Sequence, residues 1–198
     1  MRIKAIVLLT TPALFSFVAC NEGVINGNHV IDRSTPAGTI ELIEDYITER
    51  DIEELDKCLI ADFKFYFDDD DVGKQVGEYT IPESWTSADF LSAVSRAFDN
   101  AYSIDISITS ANVGEPGSDD TTYTAENVQI RFLVLVDTVN GYLAQGFVTF
   151  EFAVEYNEKN EKEWVVTTWR DFTSPAESGG RSVTEASFGE ILAMFYKP

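Results

Sequence analysis

Gln129-Ile130-Arg131-Phe132-Leu133-Val134-Leu135 and, beyond Asn140-Gly141, Leu143-Ala144-Gln145-Gly146-Phe147-Val148-Thr149-Phe150-Glu151-Phe152 each alternate with period two. Strict alternation over this length predicts two long strands, Thr122 to Thr138 and Gly141 to Tyr156, paired as a hairpin. The turn sets the register. A two-residue Asn140-Gly141 turn places Phe132 opposite Thr149 and Ile130 opposite Glu151, mixing polar and apolar residues on both faces. A three-residue loop, Val139-Asn140-Gly141 with Gly141 left-handed, pairs Ile130 with Phe150, Phe132 with Val148 and Val134 with Gly146. The second register makes one face wholly apolar and is the expected one. On the other face it leaves an apolar island, Leu133 opposite Phe147, flanked by Leu135 and Leu143. Such an island predicts a homodimer interface.

Outward from this hairpin, Ile104, Ile106 and Ile108 mark a preceding strand, and Trp164 to Asp171 a following one. The second half is thus an antiparallel meander of four strands between Tyr102 and Thr173. In the last strand the loop 157–161 permits either parity: Trp169 and Asp171 face inward, or Thr168 and Arg170 do. The first half reads differently. Ile40, Ile43 and Ile47, joined by Leu42 and Tyr46, give a helix ending near Arg50. Asp51 caps a second, short helix through Ile60, with Glu54 three residues on. Phe63-Lys64-Phe65-Tyr66-Phe67 reads as a strand, 68–86 as an acidic stretch rich in turn signals, and Ser87 to Ala101 as a third helix. Phe188, Ile191, Leu192 and Phe195 predict a C-terminal helix over Thr184 to Tyr196. The class is α+β.

The chain has 198 residues, 44% hydrophobic and 13% aromatic, with 14 Lys+Arg against 34 Asp+Glu and a net charge of −20. These figures exclude a disordered tail, a collagen-like chain and a multi-span membrane protein. An acidic chain is repelled by a phosphate backbone, so no nucleic-acid partner is expected. Arg2 and Lys4, followed by fifteen uncharged residues from Ala5 to Ala19, form a signal peptide rather than a membrane span. Its end, Phe17-Val18-Ala19-Cys20, resembles the lipobox of bacterial lipoproteins. That resemblance implies lipidation of Cys20, a membrane anchor through the lipid, and an address in the bacterial cell envelope, on the periplasmic side or the cell surface. Residues 1–19 are then the signal, 20–36 a lipidated cysteine and flexible tether reaching roughly 55 Å when extended, 37–173 the folded domain, and 174–198 a linker and the C-terminal helix. His29, the lone histidine, falls in the tether without ligand partners. Cys58 falls three residues after Leu55 on a helical pattern and reads as a buried structural thiol.

Two amphipathic helices, the link Arg50-Asp51-Ile52-Glu53-Glu54-Leu55, the phrase Leu59-Ile60-Ala61-Asp62-Phe63, a third helix, and strands ending in Trp164-Val165-Val166-Thr167-Thr168-Trp169-Arg170-Asp171 resemble the nuclear transport factor two-like superfamily, which includes SnoaL-like cyclases and ketosteroid isomerase. The likeness spans about Ala37 to Thr173. It implies a cone-shaped half-barrel, a curved antiparallel sheet wrapped around the three helices of the N-terminal half, with a pocket at the wide end and dimerisation through the back of the sheet. It implies no single activity, because that fold hosts isomerases, dehydratases, cyclases, transport factors and inert interaction modules.

The resemblance places a proton-transfer carboxylate just after the first strand, at Asp68, with Tyr46 an approximate counterpart of the oxyanion-binding tyrosine. Asp171 is a further pocket candidate, and Tyr66 an alternative hydrogen-bond donor. The His-Asp pair of the cyclases is missing, since no histidine lies in the domain. Asp68 to Asp71 is also a run of like charges, which ordinarily lies solvated in a loop. Asp68, Asp70 and Gly73 match three positions of an EF-hand loop, but Val72 and Tyr79 break it, so neither a metal nor a cofactor is expected. Phe65, Tyr66, Phe132, Phe150, Trp164 and Trp169 are the side chains that would line a pocket. The expected function is a non-catalytic, envelope-anchored module that binds a small apolar ligand or a protein partner. The alternative is an isomerase, lyase or cyclase with a pocket carboxylate as general base.

Overall fold

The computed structural model describes residues 31–175 and 183–196. The signal peptide, Cys20, His29 and most of the expected tether lie outside these residues. In chain order the elements are α1 (Pro36–Glu49), α2 (Ile52–Asp56), β1 (Leu59–Tyr66), β2 (Gln75–Val76), β3 (Tyr79–Thr80), β4 (Ser84–Thr86), α3 (Ser87–Asn100), β5 (Ser103–Thr109), a 3-10 turn (Ser110–Asn112), β6 (Thr122–Leu135), β7 (Gly141–Tyr156), β8 (Lys162–Pro175), β9 (Val183–Glu185) and α4 (Phe188–Phe195). The main sheet runs β4-β1-β8-β7-β6-β5, with β9 beside β7. It is curved and unclosed, and the architecture is α+β as expected. Among the described residues no helix is long and apolar enough to cross a membrane.

The helices start where their caps require. Thr35 accepts the Gly38 amide at the head of α1, Asp51 accepts that of Glu54 in α2, and Thr86 and Asp89 form a reciprocal capping box on α3. Helix α2 ends at Asp56, short of the expected Ile60, because Leu59 and Ile60 enter β1 and the Cys58 carbonyl accepts the Val166 amide at 2.8 Å. Arg50 closes α1 in the left-handed region (φ 62°), and its guanidinium gathers the carbonyls of Phe98 and Ala101 at 2.5 and 3.1 Å. It thereby pins the end of α1 to the end of α3. The domain also begins slightly earlier than its helical pattern. Arg33 pairs with Glu163 at 2.7 Å, and its carbonyl accepts the Trp164 amide at 2.7 Å, so residues 33–36 are docked rather than part of a tether.

Strands β5 to β8 form the expected meander, while β1 joins it parallel to β8, with Phe65 opposite Trp169. The hairpin register differs from expectation by four residues. Ile130 faces Gly146, Phe132 faces Ala144 and Val134 faces Tyr142. The cause is Asp137, whose carboxylate accepts the amides of Val139 (2.8 Å) and Asn140 (2.7 Å) and widens the loop to residues 136–140. An even shift keeps the same side chains inward, so the apolar face survives the correction. The island does not survive as drawn. Leu133 lies opposite Leu143, not Phe147, while Phe147 pairs with Gln129 and Phe172.

Two bulges decide which residues face the helices. One at 126–127 holds Asn127 at φ 55°. The other, at Thr167, reverses the parity of β8, so Trp164 and Val166 point inward below it and Trp169, Asp171 and Thr173 above it. The open parity of the last strand is thereby resolved in favour of Trp169 and Asp171.

Candidate functional site

A pocket was expected among Phe65, Phe132 and Trp169, and Phe188 of α4 packs against all three. Phe188, Ile191, Leu192 and Ala193 are all buried. The Phe188 ring lies parallel to Trp169, 6° apart in plane and 5.0 Å between centroids, and edge-on to Phe132 at 4.9 Å. Trp169 is enclosed further by Phe150 at 4.7 Å and Phe90 at 5.6 Å, with Phe65 stacked on Phe90 at 5.4 Å. Phe65, Phe132, Phe150, Trp164 and Trp169 therefore serve as packed core in this structure. Tyr66 lies on the other face of β1, beneath the Arg170 guanidinium at 4.2 Å. A cleft of about 220 Å³ does open at Val136, Asn140, Gly141, Tyr142, Val183 and Thr184, but none of the expected pocket residues lines it.

What holds α4 in place is polar. Ser187 is its N-cap and accepts the Glu190 amide at 3.0 Å, while its hydroxyl donates to the carboxylate of Asp71. Asp71, 3% exposed, also pairs with Lys74 at 2.6 Å. On the other side Asp171, 1% exposed, accepts the Gly189 amide at 2.8 Å and that of Thr173 at 2.9 Å. The Thr173 hydroxyl in turn accepts the Phe188 amide at 2.7 Å. Three of the amides that open α4 are thus satisfied by side chains of β8 and the cap, as a buried helix start requires. Gly189 permits the approach: a Cβ there would meet the Phe67 ring at 2.6 Å and Asp171 at 3.2 Å.

Burial pushes the Asp171 carboxyl up to about 7, against the Thr173 and Gly189 hydrogen bonds that favour its charge, and the nearby Asp71 adds to the rise. Among the described residues, the Trp169 Nε1 is buried without a hydrogen-bond partner.

Asp68 sits elsewhere. It is half-buried in the turn after β1, its carboxylate accepts the Asp70 amide at 2.8 Å, and its carbonyl accepts those of Asp71 and Val72. Tyr46 is half-buried on α1, where burial raises its hydroxyl above the usual tyrosine range. The structure does not bring Asp68, Tyr46 and Asp171 into one hydrogen-bonded group. Among the described residues no cluster of three or more His, Cys, Asp or Glu side chains could hold a metal ion. Cys58 is fully buried, and burial pushes its thiol up to about 12.

Neither a protein-family model nor a curated protein matches the sequence. Among solved structures, a conserved protein from Planctomyces limnophilus DSM 3776 superposes with a TM-score of 0.51 at 13% identity, over 70% of this chain and 92% of that one. The two share their fold, α+β with a curved, unclosed sheet. Two further structures are similar at lower scores. A Kribbella flavida protein gives 0.47 at 12% identity, over 82% of this chain and 96% of its own. A protein described as a putative scytalone dehydratase, from Novosphingobium aromaticivorans DSM 12444, gives 0.45 at 7% identity, over 67% and 76%. At such identities the likeness concerns the fold alone, and a fold carries no particular chemistry by itself.

The outer face of this half-barrel differs sharply from the rest of an acidic chain. Its rows read Asp105-Leu133-Leu143-Glu185, Ser107-Arg131-Gln145-Ser174 and Thr109-Gln129-Phe147-Phe172, followed by Thr149-Arg170-Tyr66. Arg131 pairs with Asp105 at 3.0 Å and Arg170 with Glu151 at 3.4 Å, so the two arginines of these rows offset two acids, while exposed Glu185 adds a further acid beside Leu143. Leu133 and Leu143 are each 8% exposed, packed with Leu135 and Val183, whereas Phe147 and Phe172 stand 50% and 53% exposed side by side.

Sequence reasoning missed Asp71, Ser187 and Gly189. The pattern Ser187-Phe188-Gly189-Glu190 carried the signal of a helix start, with an N-cap serine and glutamate at the third position. Asp71 was hidden inside a run of four aspartates that otherwise reads as solvated.

Proposed function

We propose that this chain is a lipid-anchored, non-catalytic half-barrel of the bacterial cell envelope, tethered through Cys20, that works by binding a protein through the outer face of its sheet, a second copy of itself first. The observation that carries the reading is the exposed Phe147–Phe172 pair, in a row without charged residues, on a chain with net charge −20. Two such faces meet without the repulsion that the remaining surface would impose. Leu133 and Leu143, each 8% exposed, lie beyond the Arg131–Gln145 row and are packed with Leu135 and Val183. The filled interior supports the same reading, because it leaves the expected aromatic pocket residues to act as core.

Sedimentation equilibrium of the chain at tens of micromolar tests the proposal. A dimer that Phe147→Ser with Phe172→Ser converts to folded monomer is the expected result, and a wild-type monomer at that concentration refutes it. A second reading, an isomerase or lyase with Asp171 as general base, is favoured by one observation: burial raises this carboxyl to about 7, where a base is effective. Both its oxygens, however, are engaged by backbone amides, and the place of a substrate is taken by Phe188.

A further inference from the structure

The outer face carries its charges unevenly about the Phe147–Phe172 row. Above that row, toward the 136–140 loop, exposed Glu185 continues the column of β8, because β9 pairs with β7 where β8 ends. Below it in the same column, next to Phe172, stands Arg170. The Arg170 guanidinium lies over the Tyr66 ring at 4.2 Å and reaches Glu151 through Nε at 3.4 Å, long for a charge-assisted bond, with 40% of the side chain exposed. On β6 the order is inverted. Arg131 lies above Gln129, and Glu126 is exposed at the bulge below it. Both columns thus change sign across the phenylalanine row, while Asp105 and Glu151 stay beside their own arginines.

Two copies of a sheet meet face to face about a two-fold axis that runs either along the strands or across them. With the axis along the strands, over the phenylalanines, each row meets itself, and neither Arg170 nor Glu185 comes near an opposite charge of the other copy. With the axis across the strands, through the Phe147–Phe172 row, each column meets itself in reverse. Arg170 then comes over Ser174 of the partner subunit, one row from Glu185 of the partner subunit, and Arg131 comes over Glu126 of the partner subunit. Packed sheets lie about 10 Å apart, a gap that an arginine and a glutamate side chain bridge together. We propose that the homodimer has its two-fold axis across the strands at the Phe147–Phe172 row and is oriented by a pair of contacts in which Arg170 of each copy meets Glu185 of the other. This inference rests on the dimer reading and adds the geometry of the interface. The phenylalanines supply apolar area in either arrangement, and the charges select one of the two. Within one chain Arg170 and Glu185 are separated along the sheet by about 20 Å of strand, so a contact between them joins two chains.

Charge reversal reads the contact directly. Arg170→Glu and Glu185→Arg, each at an exposed position, are each expected to weaken the dimer at least about tenfold at low salt, because both contacts become like-charge pairs. Mixed in equal amounts, the two variants are expected to associate within about threefold of the wild type, since one chain then brings only acids to the two contacts and the other only arginines. Sedimentation equilibrium of the wild type, of each variant and of the mixture measures all four, with circular dichroism confirming that each variant is folded. A dimer that neither variant weakens would overturn the geometry and leave the dimer reading standing. So would a loss of association that the mixture does not repair. A wild-type chain that stays monomeric would remove the dimer reading and this inference with it.

Discussion

The carboxylate of Asp171 accepts the backbone amide of Gly189 at 2.8 Å, joining the last long strand to the first turn of the C-terminal helix across eighteen residues of chain. The helix that this bond holds fills the space expected to receive a ligand. Most of what distinguishes this half-barrel follows from that contact.

Stability should carry the imprint of Asp171. Its folded value of about 7 exceeds the ordinary 3.8, so the folded state retains a proton that the unfolded state has lost, and stability should fall as pH rises from about 4 to about 7. Asp171→Asn removes that contribution. Thermal melts should therefore show the variant gaining on the wild type as pH increases from 5 to 8. A difference between the two that does not vary with pH would count against the assignment.

Gly189→Ala should destabilise the chain by about 1–3 kcal/mol, because the new methyl must displace the Phe67 ring and crowd Asp171. Urea unfolding of the two proteins side by side measures this. An unchanged midpoint would mean that α4 tolerates displacement from β8.

Phe188→Ala removes the ring that lies on Trp169 and should cost about 3–5 kcal/mol, the range for deleting a buried aromatic side chain. The change should also alter the emission of Trp169, now exposed on one face. Intrinsic fluorescence through a denaturant titration reports both effects.

Cys58 should be inert in the folded chain. Its thiol is fully buried and pushed up to about 12, so maleimide labelling at neutral pH, read by peptide mass mapping, should leave it unmodified until denaturant is added. Rapid labelling of the native chain would show that α2 and β1 open readily at this point.

The fold was legible in sequence wherever a period was long. Ile40, Ile43 and Ile47 announced α1, and the alternation from Ile104 to Phe152 announced the meander, because burial of one face imposes those periods. Register was not legible, since Asp137 widens the hairpin loop by side-chain bonds that no period records. The parity of β8 was hidden for a similar reason: the bulge at Thr167 lets Val166 and Trp169 both face inward. The site was harder still. Asp171 could be named as a pocket candidate, but its true partners, Gly189 and Thr173, depend on where the C-terminal helix docks, and an amphipathic stripe does not say which surface it will cover.

The central claim is that this half-barrel encloses its own helix rather than a resident small molecule and works as a binding module. Native mass spectrometry of the chain, purified gently from cells with no ligand added, tests it most directly. The account predicts a dimer whose mass is that of two polypeptides plus whatever acyl groups Cys20 carries. An additional organic molecule, reproducibly one per chain, would contradict it and show that α4 yields its place to a ligand.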